Sequence, residues 1–322
     1  MNGYEVCESL KADELTRDIP VIFISALDYV QEKVRGFRVG GVDYITKPFQ
    51  VEEVLARVET HLGLRRLQKQ LQDSNARMVR ELQLAALTQA NFMPRQLPML
   101  DGWQMSATLI PARETSGDFF DVFPLPGGNW GVLIADVVDK GVAAALFMVL
   151  AWSLIRESAG HCPDEPEKIF DLVNRKLLSM MDQLVFVSTF LGILDANAGT
   201  LRYANAGHPP PWLCRAAGEL QPLPPTGIPL GIAEENGWSR AEIQFAAGDV
   251  MVLYTDGIIE ACDRSDGFYG LDRLKQCVRQ NLALEAIEIQ QAILADVREF
   301  LEGAPPHDDV ALVVIKRTDR IS

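Results

Sequence analysis

Positive charge is what this 322-residue sequence is short of: 30 Lys and Arg stand against 44 Asp and Glu, a formal net charge of −14. A nucleic-acid partner needs a basic face to displace counterions from phosphates, so no nucleic-acid role is expected. Cysteine is scarce and unpaired. Cys7, Cys162, Cys214, Cys262 and Cys277 are scattered with no close spacing, which argues against a disulfide framework or a zinc site and for a reducing cytoplasm. No GxxxxGK loop is present, which counts against a nucleotide hydrolase. Nor does any apolar run reach the ~20 residues of a bilayer span. The best candidate, VAAALFMVLAWSLI at 142–155, is bounded by Asp139 and Lys140 before it and Arg156 and Glu157 after it, and reads as a buried core helix. No signal-peptide pattern and no internal repeat are visible, so a cytoplasmic protein without a membrane partner is expected.

Acid is what the chain has, and it is clustered. Four segments read SGDFFD (116–121), IADVVDKG (134–141), LYTDGIIE (253–260) and PPHDDVALVVI (305–315). Each places an aspartate at the end of an apolar run or in a tight glycine turn, and runs such as WGVLIADV and DVMVLYTDG have the Val, Ile and Leu content of buried strands. Any one such aspartate can be a turn or helix cap. Four carboxylates on one sheet rim would need counter-charge, because buried like charges repel strongly. Hard divalent cations supply it, since Mg²⁺ and Mn²⁺ prefer oxygen ligands, and a pair of them can activate water and clamp a phosphoryl group. The pattern therefore points to a metal-dependent phosphohydrolase.

In order, GDFFD, ADVVDKGVAAALFM, NAGHPP, YTDGIIEA and DDVALVVI resemble the SpoIIE/RsbU-like branch of the metal-dependent, type 2C-like serine/threonine phosphatases. The resemblance covers residues 98–319 and implies an αββα sandwich within an α+β chain, two Mn²⁺ or Mg²⁺ ions, and hydrolysis by a metal-bridging water. It assigns Asp118, Asp136, Asp256 and Asp308 as metal-ligand acids, Asp136 bridging the two ions, and Val137 as a backbone-carbonyl ligand. Asp309 competes with Asp308, and strand alternation lets only one of the pair face the site. Asp121 reads as a turn brace or a ligand. Arg113 and Lys140 are candidate phosphate contacts, each with a bland alternative in carboxylate pairing or solvation. His208, in NAGHPP, is a general-acid or substrate-contact candidate, although a structural turn fits its glycine- and proline-rich surroundings. The proline-rich stretch 222–231 reads as a rigid crossing between strands.

The N-terminal residues carry a second resemblance. VIFISA (21–26) and VDYITKPF (42–49), joined by a helix-spaced segment, look like the C-terminal part of a response-regulator receiver domain over 1–62. It implies Ser25 as the switch residue and Lys47 as the contact to a phosphorylated aspartate. The segment carrying that phosphoacceptor and the first strands has no counterpart here, and we expect it to lie upstream in a longer protein. Residues 63–97 form the expected linker: Leu64, Leu67, Leu71 and Met78 make a 3/4-spaced stripe with Ser74 in one slot, as in a dimeric coiled coil. MPRQLP (93–98) breaks it. The expectation is a two-component-linked phosphatase, dimeric through its linker, acting on a phosphorylated regulatory protein such as an anti-sigma-factor antagonist. The alternatives are a catalytically silent signalling module or a small phosphate-ester hydrolase.

Overall fold

The computed structural model describes residues 2–26, 29–180, 185–234 and 237–319. The chain separates into two compact units, residues 1–81 and 82–322.

The first unit contains α1 (Gly3–Ala12), β1 (Ile22–Ser25), α2 (Val30–Arg38), β2 (Asp43–Thr46) and most of α3 (Val51–Ala90). Asn2 starts α1 with a capping box: its side chain accepts from the Tyr4 and Glu5 amides while Glu5 reaches back to the Asn2 amide. β1 and β2 pair in parallel, from Ile22 opposite Asp43 to Ser25 opposite Thr46. The Asp43 carboxylate ties α3 to this sheet through Arg57 at 3.0 Å and His61 at 3.1 Å. Helix α3 has no proline or cluster of β-branched residues to stop it, and runs unbroken for 40 residues. Its stripe is open in the single chain: Leu67 is 64% and Leu71 63% exposed.

The second unit is built from β3 (Trp103–Ile110), β4 (Phe119–Pro124), β5 (Trp130–Val137), α4 (Val142–His161), α5 (Pro166–Met180), β6 (Val187–Asp195) and β7 (Thr200–Ala206). There follow β8 (Trp212–Cys214), β9 (Leu220–Pro222), β10 (Ala241–Gln244), β11 (Val250–Tyr254), α6 (Asp256–Ile259), α7 (Gly270–Asn281), α8 (Ala286–Leu301) and β12 (Val310–Arg317). The strands make two antiparallel five-stranded sheets, ordered β10-β7-β6-β5-β4 and β3-β12-β11-β8-β9.

Three apolar layers hold this unit together, and strand alternation sorts residues among them. In β5, Val132 and Ile134 point between the sheets, while Leu133, Ala135 and Val137 face α4 and α5. In β11, Met251 and Leu253 point between the sheets, while Val250, Val252 and Tyr254 face α7 and α8. The result is the expected helix–sheet–sheet–helix sandwich. α4 runs to His161, past the expected end of the apolar run, because Arg156 stacks on the Phe123 and Trp152 rings and continues the helix. At 20 residues α4 is long and apolar enough to cross a bilayer, but Met148, Ala151 and Ile155 are fully buried against the sheet and α5. The proline-rich stretch carries the chain from β9 in one sheet to β10 in the other, pinned by bridges from Gly227 to Ala206 and from Leu230 to Val187.

Candidate metal centre

Alternation also decides which acids meet. Asp136 shares the parity of Val132 and Ile134, so it faces the space between the sheets at the end of β5. Asp118, immediately before β4, lies on the same side, where its carboxyl meets that of Asp136. Asp121 has the opposite parity. It lies under α4, where its carboxylate accepts from the Trp152 indole at 2.8 Å and pairs with Arg156 at 3.3 Å. Asp121 is thus a brace and not a ligand candidate. From the other sheet come Asp256, the first residue of α6 directly after β11, and Asp308, in the turn that leads into β12.

The electrostatics show that these carboxylates crowd one another. Asp118 is 3% exposed, and burial and the touching Asp136 carboxyl hold its carboxyl well above the usual range. Burial and the charges of Asp256, Asp308 and Asp309 push Asp136 up to about 7. Asp256 is raised by burial and by Asp308. Asp118 Oδ2 is buried without any hydrogen-bond partner. No three His, Cys, Asp or Glu side chains among the described residues form a closed cation cage. An open, all-oxygen arc with an orphaned carboxylate oxygen fits Mg²⁺ or Mn²⁺, which retain several waters and need few protein ligands. The site would draw Asp118, Asp136, Asp256 and Asp308 to such ions, with the Val137 carbonyl beside them.

Asp309 also reaches this region, contrary to the expectation that alternation admits only one of the pair. The strand begins at Val310, so the turn before it is not bound by strand parity. Asp309 is engaged elsewhere: it accepts from the Ala112 amide at 2.7 Å and the Gly117 amide at 2.8 Å, tying the loop before Asp118 to β12. Thr255 is a contributor that sequence reasoning missed. Fully buried before Asp256, its hydroxyl accepts from the Ala311 amide at 2.9 Å and donates to the Ala311 carbonyl at 3.5 Å, and it partly offsets the upward shift of Asp118.

The profile of the stage II sporulation protein E (SpoIIE) family matches residues 126–318. The chain belongs to the SpoIIE family. A receiver-domain profile matches residues 1–59. IcfG of Synechocystis is 28% identical over 94% of this chain, which spans 50% of IcfG's length. The phosphoserine phosphatase RsbU of Bacillus subtilis is 25% identical over 94% of this chain and 83% of its own. The SiaA phosphatase-type (PP2C) domain of Pseudomonas aeruginosa superposes with a TM-score of 0.69 at 21% identity, over 76% of this chain and 99% of that one.

The remaining candidates of the SpoIIE domain are distributed unevenly. Lys140 pairs with Asp308 at 2.9 Å and donates to the His307 carbonyl at 3.0 Å, so it caps the acidic arc instead of being a freely solvated helix start. Arg113 is exposed and makes no ion pair among the described residues. His208 is fully buried, its Nδ1 lies 3.1 Å from the Ser188 hydroxyl, and burial drives its pKa down to about 3. A neutral, solvent-free imidazole cannot reach substrate, which leaves the turn role: Asn205 Oδ1 accepts from the His208 amide at 2.9 Å and Asn205 Nδ2 donates to its carbonyl at 3.1 Å. In the receiver segment, Ser25 and Lys47 close the ends of the paired strands, the Lys47 amide donating to the Ser25 carbonyl at 2.8 Å. The Lys47–Pro48 bond is cis.

Proposed function

We propose that the SpoIIE domain is a Mn²⁺- or Mg²⁺-dependent phosphatase that removes phosphate from a phosphoserine or phosphothreonine of a regulatory protein, such as an anti-sigma-factor antagonist. The observation that carries this reading is the meeting of four aspartates from two sheets around an orphaned, buried Asp118 oxygen. The relative RsbU of Bacillus subtilis is a phosphoserine phosphatase, which supports the same chemistry. When bound, the ions would lower the pKa of a shared water and neutralise charge developing on the phosphate. The chain's own part is placement. Asp136 would be shared between two ions, Asp118 and Asp256 would each hold one, and Asp308 would complete the arc. Asp309 holds the loop before Asp118 in place, and Thr255 ties the residue before Asp256 to β12. Lys140 lies on Asp308 within reach of an arriving phosphate and would act as a mobile point charge.

We further propose that the exposed Leu64, Leu67, Leu71 and Met78 stripe of α3 is covered by a second copy, giving a dimer gated through the receiver segment in the cytoplasm. Leu67 and Leu71 are too exposed, at 64% and 63%, for a helix that works alone.

The test is hydrolysis of a phosphoserine peptide and of p-nitrophenyl phosphate by the full chain with Mn²⁺, with Mg²⁺ and after chelation. Turnover on the peptide should fall at least about a hundredfold on chelation and return with metal, since bound cations supply several kcal/mol of the barrier lowering. Turnover that survives chelation would remove the metal mechanism, and turnover on the ester alone would favour a small phosphate-ester hydrolase. Lys140→Ala should raise KM for the peptide several-fold while moving stability by less than about 1 kcal/mol, because its ion pair is half exposed. A KM equal to that of the parent would remove Lys140 from phosphate binding.

A further inference from the structure

The last turn of α3 ends on the candidate metal centre. Gln89 is a long polar side chain near the end of a largely exposed helix, yet it is only 8% exposed. Its amide makes two hydrogen bonds to one residue: Nε2 donates to the Ser116 carbonyl at 2.5 Å, and Oε1 accepts from the Ser116 amide at 3.1 Å. A primary amide and a peptide unit are complementary in this way, so Gln89 occupies the place a neighbouring strand would take. Ser116 is fully buried and precedes β4, where no ladder partner serves it. Without Gln89 both of its peptide groups would be buried and unpaired.

Ser116 in turn sets the position of Asp118. Its hydroxyl accepts from the Asp118 amide at 3.0 Å. Between them, Gly117 is fixed from the other side by Asp309 at 2.8 Å, and a side chain there would press on the Val137 carbonyl. The three residues carrying the orphaned Asp118 oxygen are therefore suspended between the end of α3 and the start of β12. A second contact points the same way. Phe92, three residues after Gln89, packs edge-on against Trp152 at 5.4 Å, and Trp152 donates to Asp121 at the far end of the same SGDFFD segment.

We propose that Gln89 is a positioning residue of the metal centre: by holding both peptide groups of Ser116 it sets Asp118 for cation binding, and fraying or rotation of the last helical turn loosens the centre. This rests on the phosphatase reading above. It would let a signal carried along α3 act on metal affinity without any change in the ligand set.

The experiment compares the full chain with Gln89→Met, which keeps the length and loses both hydrogen bonds. Thr88→Ala is the neighbouring control, and Val297→Ala, buried in the α8 layer, is a destabilised control remote from α3. Mn²⁺ affinity is read by titration calorimetry, kcat and KM on the phosphoserine peptide, and unfolding by a thermal midpoint. Gln89→Met should weaken Mn²⁺ about tenfold or more, the scale of losing a residue that orients a ligand. Its kcat should drop at low Mn²⁺ and recover at saturating Mn²⁺, with KM for the peptide unchanged. Thr88→Ala and Val297→Ala should keep the parent affinity. Unchanged Mn²⁺ affinity in Gln89→Met overturns the proposal, and so does an equal loss in Val297→Ala, which would mean general loosening. If the parent chain itself neither binds Mn²⁺ nor turns over, the phosphatase reading fails and takes this inference with it.

Discussion

Asp136→Asn should abolish turnover and, in the metal-free chain above neutral pH, raise heat stability. The loss of activity follows from its place. Asp136 touches Asp118 and feels the charges of Asp256, Asp308 and Asp309. If Asp136 is shared between bound ions as proposed, removing its charge should cost on the order of 10³-fold or more in kcat, as for other groups that stabilise developing charge directly. The gain in stability follows from the same crowding. An acid whose pKa is raised in the folded state, here from 3.8 to about 7, is unpenalised below about pH 4, where it is protonated in folded and unfolded chains alike. As pH rises toward 7 the folded chain must ionise it against its neighbours, and stability is lost. Asparagine escapes that loss. At pH 8 without metal the variant should therefore unfold later than the parent by an amount worth a few kcal/mol, at roughly 1.4 kcal/mol per pKa unit, and at pH 4 the difference should vanish. Thermal melts of chelated protein at the two pH values check the sign. Parent-like turnover, or a variant less stable than the parent at pH 8, would refute the crowded-acid account.

The second large effect is Gly257→Ala. A methyl at this position would land on the carbonyl oxygen of Asp309, with the Asp308 carbonyl carbon also in contact. Both obstacles are backbone, so neither can swing aside as a flexible side chain would. Asp309 cannot retreat without releasing Ala112 and Gly117, and Asp308 carries the Lys140 pair. The expected cost is about 3 kcal/mol, at the upper end of overpacking penalties, with most activity lost because Asp256 and Asp308 are pushed apart. Urea denaturation and a peptide assay measure the two parts. A variant with parent stability would show that α6 and the turn before β12 are not in close contact.

Much of this arrangement could be read from the chain alone, because buried strands that end in aspartate announce a carboxylate-lined rim, and the order of the motifs narrows the fold. The place of Asp121 was also in the sequence, since it alternates with Phe120 along the strand and so turns away from the face between the sheets. What could not be read depends on neighbours distant in sequence. Asp309 finds its partners 192 and 197 residues away, and Gln89 finds its partner 27 residues on, beyond the whole of β3. Neither lies in a local pattern. Strand alternation misled at Asp308 and Asp309 because it was applied to a turn. His208 looked chemical because histidine so often is, but only the packing around NAGHPP reveals an imidazole with no route to solvent.

The four acids are divided evenly between the two sheets: Asp118 and Asp136 on one, Asp256 and Asp308 on the other. A cation held by all four, as proposed, would be a rivet through the sandwich as well as a reagent. Ligand that binds only the folded chain adds stability with the logarithm of its concentration, about 2.7 kcal/mol at a hundredfold excess over its dissociation constant. Supply of divalent metal would then govern how long each molecule survives unfolding and proteolysis, so that scarcity thins the population of the protein while it also silences the remainder.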